Sequence, residues 1–73
     1  MNAERRKELK RIANELDTLK GELDTVYADE EESGQSIPEN MQDKKDASEE
    51  AQSNIQEAID SLDSAISAIE SVE

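Results

Sequence analysis

The chain has 73 residues, 20 Asp and Glu against 8 Lys and Arg, a net charge of −12, and neither Cys nor His. That length allows one domain with a thin core, and the composition excludes disulfides and the usual zinc ligands. So acidic a chain is a poor direct partner for nucleic acid or anionic membrane, both of which attract clustered cations, and no apolar run is long enough to span a bilayer.

Low aromatic content and 38% charged residues would suit a disordered chain, but the periodicity points to helix. The first segment, "MNAERRKELKRIA", enters an amphipathic pattern directly, without the run expected of a secretory leader. The absence of Cys does not fix a redox compartment but fits the cytoplasmic location expected here. Asn2 suits an N-cap. Leu9, Leu16 and Leu23 recur every seven residues, and Ile12, Leu19 and Val26 follow three residues behind each. As a heptad these are positions a and d, with Glu8, Glu15 and Glu22 at g, Gly21 at f and Tyr27 at e. Helix 1 is predicted over about residues 3–32, with Gly34 as its C′ residue.

A turn is expected over about 33–36, in "SGQSIPENMQ". Ser36 and Glu39 have the spacing of a capping box, with Pro38 in the first turn, so helix 2 is predicted over about 37–71. Its heptad places Met41, Ser48, Ile55, Leu62 and Ile69 at a, Ala51, Ala58, Ala65 and Val72 at d, and Ile59 and Ile66 at e.

Two long helices and a short turn make the chain a single all-α, antiparallel two-helix coiled-coil hairpin. Residues 1–20 carry six basic and four acidic groups, net +2, whereas residues 21–73 carry two and sixteen, net −14. Folding back is expected to set Arg5, Arg6, Lys7, Lys10 and Arg11 beside Asp60, Asp63, Glu70 and Glu73, pairs that favour the antiparallel arrangement more than they stabilise it. Between Met41 and Ile55 helix 2 offers no large apolar residue, only Ala47 and Ala51, and Lys44 falls at d. A lone hairpin of this composition is marginal, so a homodimeric four-helix bundle is expected. The candidate oligomer interface is Leu9, Ile12, Leu16, Leu19, Leu23, Ile55, Ile59, Leu62, Ile66 and Ile69.

No residue set supplies a catalytic, cofactor or metal site. The carboxylates fall on solvated helix faces rather than in a pocket able to shift a pKa and hold a substrate. Asp29, Glu31, Ser33 and Gly34 imitate the start of a calcium loop, but Asn40 stands where the bidentate Glu belongs. Asp29 to Glu32 crowd the C-terminal end of helix 1, against the macrodipole. Asp43, Asp46, Glu49 and Glu50 prolong that acidity along helix 2. The candidate partner-binding residues are therefore Tyr27, Asp29, Glu30, Glu31, Glu32, Ile37 and Met41, an acidic patch with an aromatic and two apolar anchors.

Ile37-Pro38-Glu39-Asn40-Met41-Gln42, followed by Ala58-Ile59, Leu62, Ala65-Ile66 and Ile69-Glu70, resembles a group of small phage- and prophage-encoded proteins. There a heptad helix leads through an L-P-E-N-L-Q-like turn into a second helix. The resemblance spans nearly the whole chain; its turn hexapeptide is distinctive, while any coiled coil yields such a tail. It implies a helical hairpin of viral or mobile-element origin, acting in the host cell cytoplasm if phage-encoded, and it transfers no catalytic residue. The expected function is a non-enzymatic module that binds and inhibits a host defence protein. The alternatives are an acidic nucleic-acid mimic that occupies a DNA- or RNA-binding protein, and a structural oligomerisation protein.

Overall fold

The computed structural model describes residues 2–72 and contains two helices, α1 (Ala3–Gln35) and α2 (Gln42–Glu70). Lys20 of α1 bonds Asp63 of α2, and Gly34 of α1 closes on Ser48 of α2. Position increases along one helix as it decreases along the other, so the pair is antiparallel. The hairpin is a rod of 59 × 14 × 10 Å with a radius of gyration of 17.0 Å, where a compact chain of this length would have about 11 Å.

Helix α1 begins as its sequence dictates. Asn2 is extended (φ −81°, ψ 167°), and its side chain accepts a 2.8 Å hydrogen bond from the Arg5 amide. Its end lies later than predicted. Gly34 lies inside the helix with an ordinary negative φ, and Ser36 is the C-cap, its amide donating to the Ser33 carbonyl at 3.1 Å while the Ile37 amide donates to that of Gly34 at 3.3 Å. The capping box of Ser36 and Glu39 is not formed. Pro38 disfavours helical backbone at Ile37, and the Met41 amide then closes a tight turn on the Pro38 carbonyl at 3.0 Å. Residues 36–41 make the connection, and α2 starts at Gln42 behind Met41, whose side chain supplies no cap. Asp43 in the first turn is the one acidic group suited to the helix dipole there.

The helices meet on a and e positions. In α2 this face carries Ser48, Ile59 and Ile66, all buried, with Ile55, Leu62 and Ile69 half-buried. In α1 it carries buried Ala13 and half-buried Leu9, Leu16, Lys20, Leu23 and Tyr27. The d set read from the sequence is displaced from this contact: Leu19 is 50% and Val26 49% exposed, and Ile12 is half-buried. Helix α2 sets the rotation. Its branched side chains at a and e form the wider stripe, and α1 answers with small Ala13 and Gly34, which let the axes approach. A Cβ on Gly34 would lie 2.7 Å from Ser48 Oγ. The stretch poor in large side chains is thus closed by Gly34 against Ser48, which is 6% exposed and accepts a 3.3 Å hydrogen bond from Gln52.

No large side chain is fully buried among the described residues. The accessible surface is 5548 Å², against about 4500 Å² for a compact protein of 8.1 kDa.

Candidate interaction surfaces

The broad faces of the rod differ in chemistry. Side chains advance 100° per residue, so in both helices d lies on one side of the a/e contact and b on the other. In an antiparallel pair the two d rows come out on the same face. One face therefore carries the b residues Lys10, Asp17, Asp24, Glu31, Glu49, Gln56, Asp63 and Glu70, all exposed. Here Lys20 reaches round from the contact to donate a 2.8 Å hydrogen bond to Asp63. That bond is the first cause of the raised Lys20 pKa; partial burial opposes it, and the charges of Asp63, Asp24 and Asp17 add to it.

The opposite face carries the d residues. Ile12, Leu19 and Val26 of α1 stand beside Ala51, Ala58, Ala65 and Val72 of α2, and Val72 is 41% exposed. The flanking g residues are Glu8, Glu15, Glu22 and Asp29 on α1, but Ala47, Asn54, Ser61 and Ala68 on α2. From Ala47 to Val72 this side of α2 bears no charge.

The basic and acidic groups are distributed less symmetrically than the sequence suggests. Arg11 is bound within α1, by Glu8 and, at 2.6 Å, by Glu15. Its hydrogen bond and then its charge hold the Glu8 carboxyl below the usual range, and both carboxylates raise the guanidinium. Lys20–Asp63 is the only ion pair between the helices among the described residues. Arg5, Arg6, Lys7 and Lys10 pair with none of Asp60, Asp63 and Glu70, and Glu73 lies outside the described residues. Arg6 and Lys10 instead rim a groove floored by Leu9, Ala13, Ile66 and Ile69 at the open end of the hairpin.

At the turn end the balance is acidic. Residues 22–50 hold eleven carboxylates and two lysines, net −9. Asp29, Glu31 and Glu32 are exposed on the last turns of α1, and Glu30 is half-buried. No basic residue occupies the last turn of α1 to offset its dipole. Residues 29–35 are continuous helix, so the stretch compared with a calcium loop does not wrap an ion. Among the described residues no group of three or more potential ligands is placed to hold a metal. Lys45 lines a shallow depression with Glu31, Gly34, Glu49 and Gln52.

The candidate anchors do not form one patch. Ile37 and Met41 are half-buried in the connection. Tyr27 lies about 12 Å back along α1 from its end and borders a depression lined by Gln52, Ser53, Gln56 and Asp60. Of the expected oligomer-interface residues, Ile59 and Ile66 are consumed by the intrachain contact and Leu9, Leu16, Leu23, Ile55, Leu62 and Ile69 are shared with it, leaving Leu19 most open. Among the described residues no helix is long and apolar enough to cross a membrane. The sequence matches no family model, and no curated protein or solved structure is significantly similar to it.

Proposed function

We propose that this chain is a non-enzymatic protein-binding module that acts as a homodimeric four-helix bundle and docks a basic surface of its target on the acidic turn end. The charge separation along the rod carries this reading. A net charge of −9 between residues 22 and 50 stands on two rigid helices, and such a field steers basic partners and speeds their association. The depressions along the rod are shallow and their carboxylates are solvated, which suits recognition better than the enclosed, convergent site a reaction needs. With the resemblance to phage-encoded hairpins, the target is taken to be a host defence protein that the module inhibits in the host cytoplasm.

The test is a plating assay. Expression of the wild-type chain in a defence-positive host is expected to restore plaque formation by a restricted phage, and Glu30→Lys/Glu31→Lys/Glu32→Lys to lose that effect with helicity intact. Full activity of the charge-reversed chain would remove the turn end from the site, and no effect of the wild type would remove the defence reading. The row Asp43, Asp46, Glu49 and Glu50 on α2 favours nucleic-acid mimicry as the second reading. Its mark is a complex displaced by duplex DNA and weakened steeply by salt.

A further inference from the structure

We propose that the open face of the hairpin is a docking surface for a second copy of this chain, packed with α1 of each copy on α2 of the other and with both turn ends at the same end of the bundle. This rests on the dimer reading above and adds the face and the orientation to it.

The first observation is what the face lacks. Leu19 and Val26 are half exposed in a rod that shows about 1000 Å² more surface than a compact protein of its mass. A face of 59 by 14 Å is about 800 Å² in projection, the area each partner gives to a standard stable interface. The opposite face, lined with charged b residues, offers no such apolar area.

The second is shape. Lys20 with Asp63, and Gly34 with Ser48, set residue n of α1 level with residue 82–83 minus n of α2. Leu19 is thus level with the gap between Ser61 and Ala65, Val26 with the gap between Asn54 and Ala58, and Ile12 with the gap between Ala68 and Val72. A two-fold axis parallel to the rod preserves these levels between copies. Each large residue of α1 then enters a hole bounded by small or short residues on the other copy's α2, the knobs-into-holes geometry of a bundle.

The third is charge. In this arrangement the acidic row Glu8, Glu15, Glu22 and Asp29 runs beside the uncharged row Ala47, Asn54, Ser61 and Ala68. Lys44, the one charged residue on that side of α2, is level with the connection of the other copy, beyond the end of its α1, and does not enter this pairing. The reversed dimer, with turns at opposite ends, stacks α1 on α1 about Leu19. It sets Glu15 beside the other copy's Glu22 and Glu8 beside its Asp29; Arg11, bound to both Glu8 and Glu15, offsets one of their two charges, and the like charges that remain oppose association. Local pairs decide over the summed charge of the two turn ends, because screening limits interactions to about 8 Å at physiological salt.

The chain has no Cys, so introduced thiols report without background. Leu19→Cys and Ala65→Cys chains are purified separately, mixed, equilibrated and mildly oxidised. The expected product is the mixed disulfide, exceeding either self-disulfide at least tenfold. A predominant Leu19→Cys self-disulfide would establish the reversed orientation and overturn the proposal while the dimer stands. No disulfide from a chain that sediments as a dimer would move the interface to another face and overturn it equally. A chain that sediments as a monomer at all concentrations would remove the dimer reading itself. Leu19→Glu is a second probe: it is expected to abolish the dimer, whereas Gln56→Glu on the opposite face leaves it unchanged.

Discussion

The two glycines of α1 have opposite surroundings, and each gives a prediction. A Cβ on Gly21 meets nothing within 4 Å, so Gly21→Ala removes a helix-interior glycine without a steric cost and should stabilise the fold by about 0.5–1 kcal/mol. Gly34→Ala gains the same propensity but drives its methyl to 2.7 Å from Ser48 Oγ, so its denaturation midpoint should fall below that of Gly21→Ala. Adding Ser48→Ala, which removes the hydroxyl oxygen and leaves only the Cβ at 3.6 Å, should narrow the difference without placing a new glycine in α2. Equal midpoints for the two single variants would mean that the helices do not close at Gly34. Lys20 gives a pH signature. Its ammonium is held above the ordinary lysine value of 10.5, first by the hydrogen bond to Asp63. A group whose pKa is raised in the folded state favours folding at pH below its unfolded value and loses that contribution as pH rises through the folded one. The stability of the wild type relative to Lys20→Met should therefore be greatest near neutrality and vanish in strongly alkaline solution. A difference that persists unchanged there would assign the effect to packing of the lysine stem.

At the scale of elements, helix existence and antiparallel pairing were legible because the seven-residue repeats and the Asn2 cap are local signals. The facing side of α1 was not. The most apolar heptad assignment puts Ile12, Leu19 and Val26 inward, whereas the intrachain contact is made by Ala13, Lys20, Tyr27 and Gly34 beside the a row. Their common spacing of seven was present in the sequence, but a lysine and a glycine in that row hid it, because close approach and a stem reaching to Asp63 are properties of the pair of helices. The turn was misplaced for a similar reason. Ser36-x-x-Glu39 has the letters of a capping box, yet the conformational restriction of Pro38 on Ile37 prevails, and the Ser36 amide closes α1 instead. The candidate anchors Tyr27, Ile37 and Met41 are neighbours only for a helix 1 that ends near residue 32. Extension of α1 to Gln35 separates them. Ile59, buried on the contact face of α2, is the test of that face. Ile59→Ala should cost about 2–5 kcal/mol in chemical denaturation, whereas Ala58→Ser, one residue round the helix on the open face, should cost far less in an isolated hairpin.

For the whole molecule, the rod is long, its core is one side chain thick, and its charge is −12. Self-repulsion of that charge opposes compaction and is screened by salt, so the melting temperature should rise between 20 and 500 mM NaCl; a fall would mean that ion pairs such as Lys20–Asp63 outweigh repulsion. A hairpin with no fully buried large side chain among its described residues leaves its d rows to a second layer, and on that expectation rest both the dimer and the assignment of partner binding to the acidic turn end. Sedimentation equilibrium of the wild-type chain across a wide concentration range tests it most directly. The expected result is a helical species near twice 8.1 kDa that persists to low micromolar concentration. A helical monomer of 8.1 kDa throughout would contradict it, and the face of Ile12, Leu19 and Val26 would then be open to the target protein.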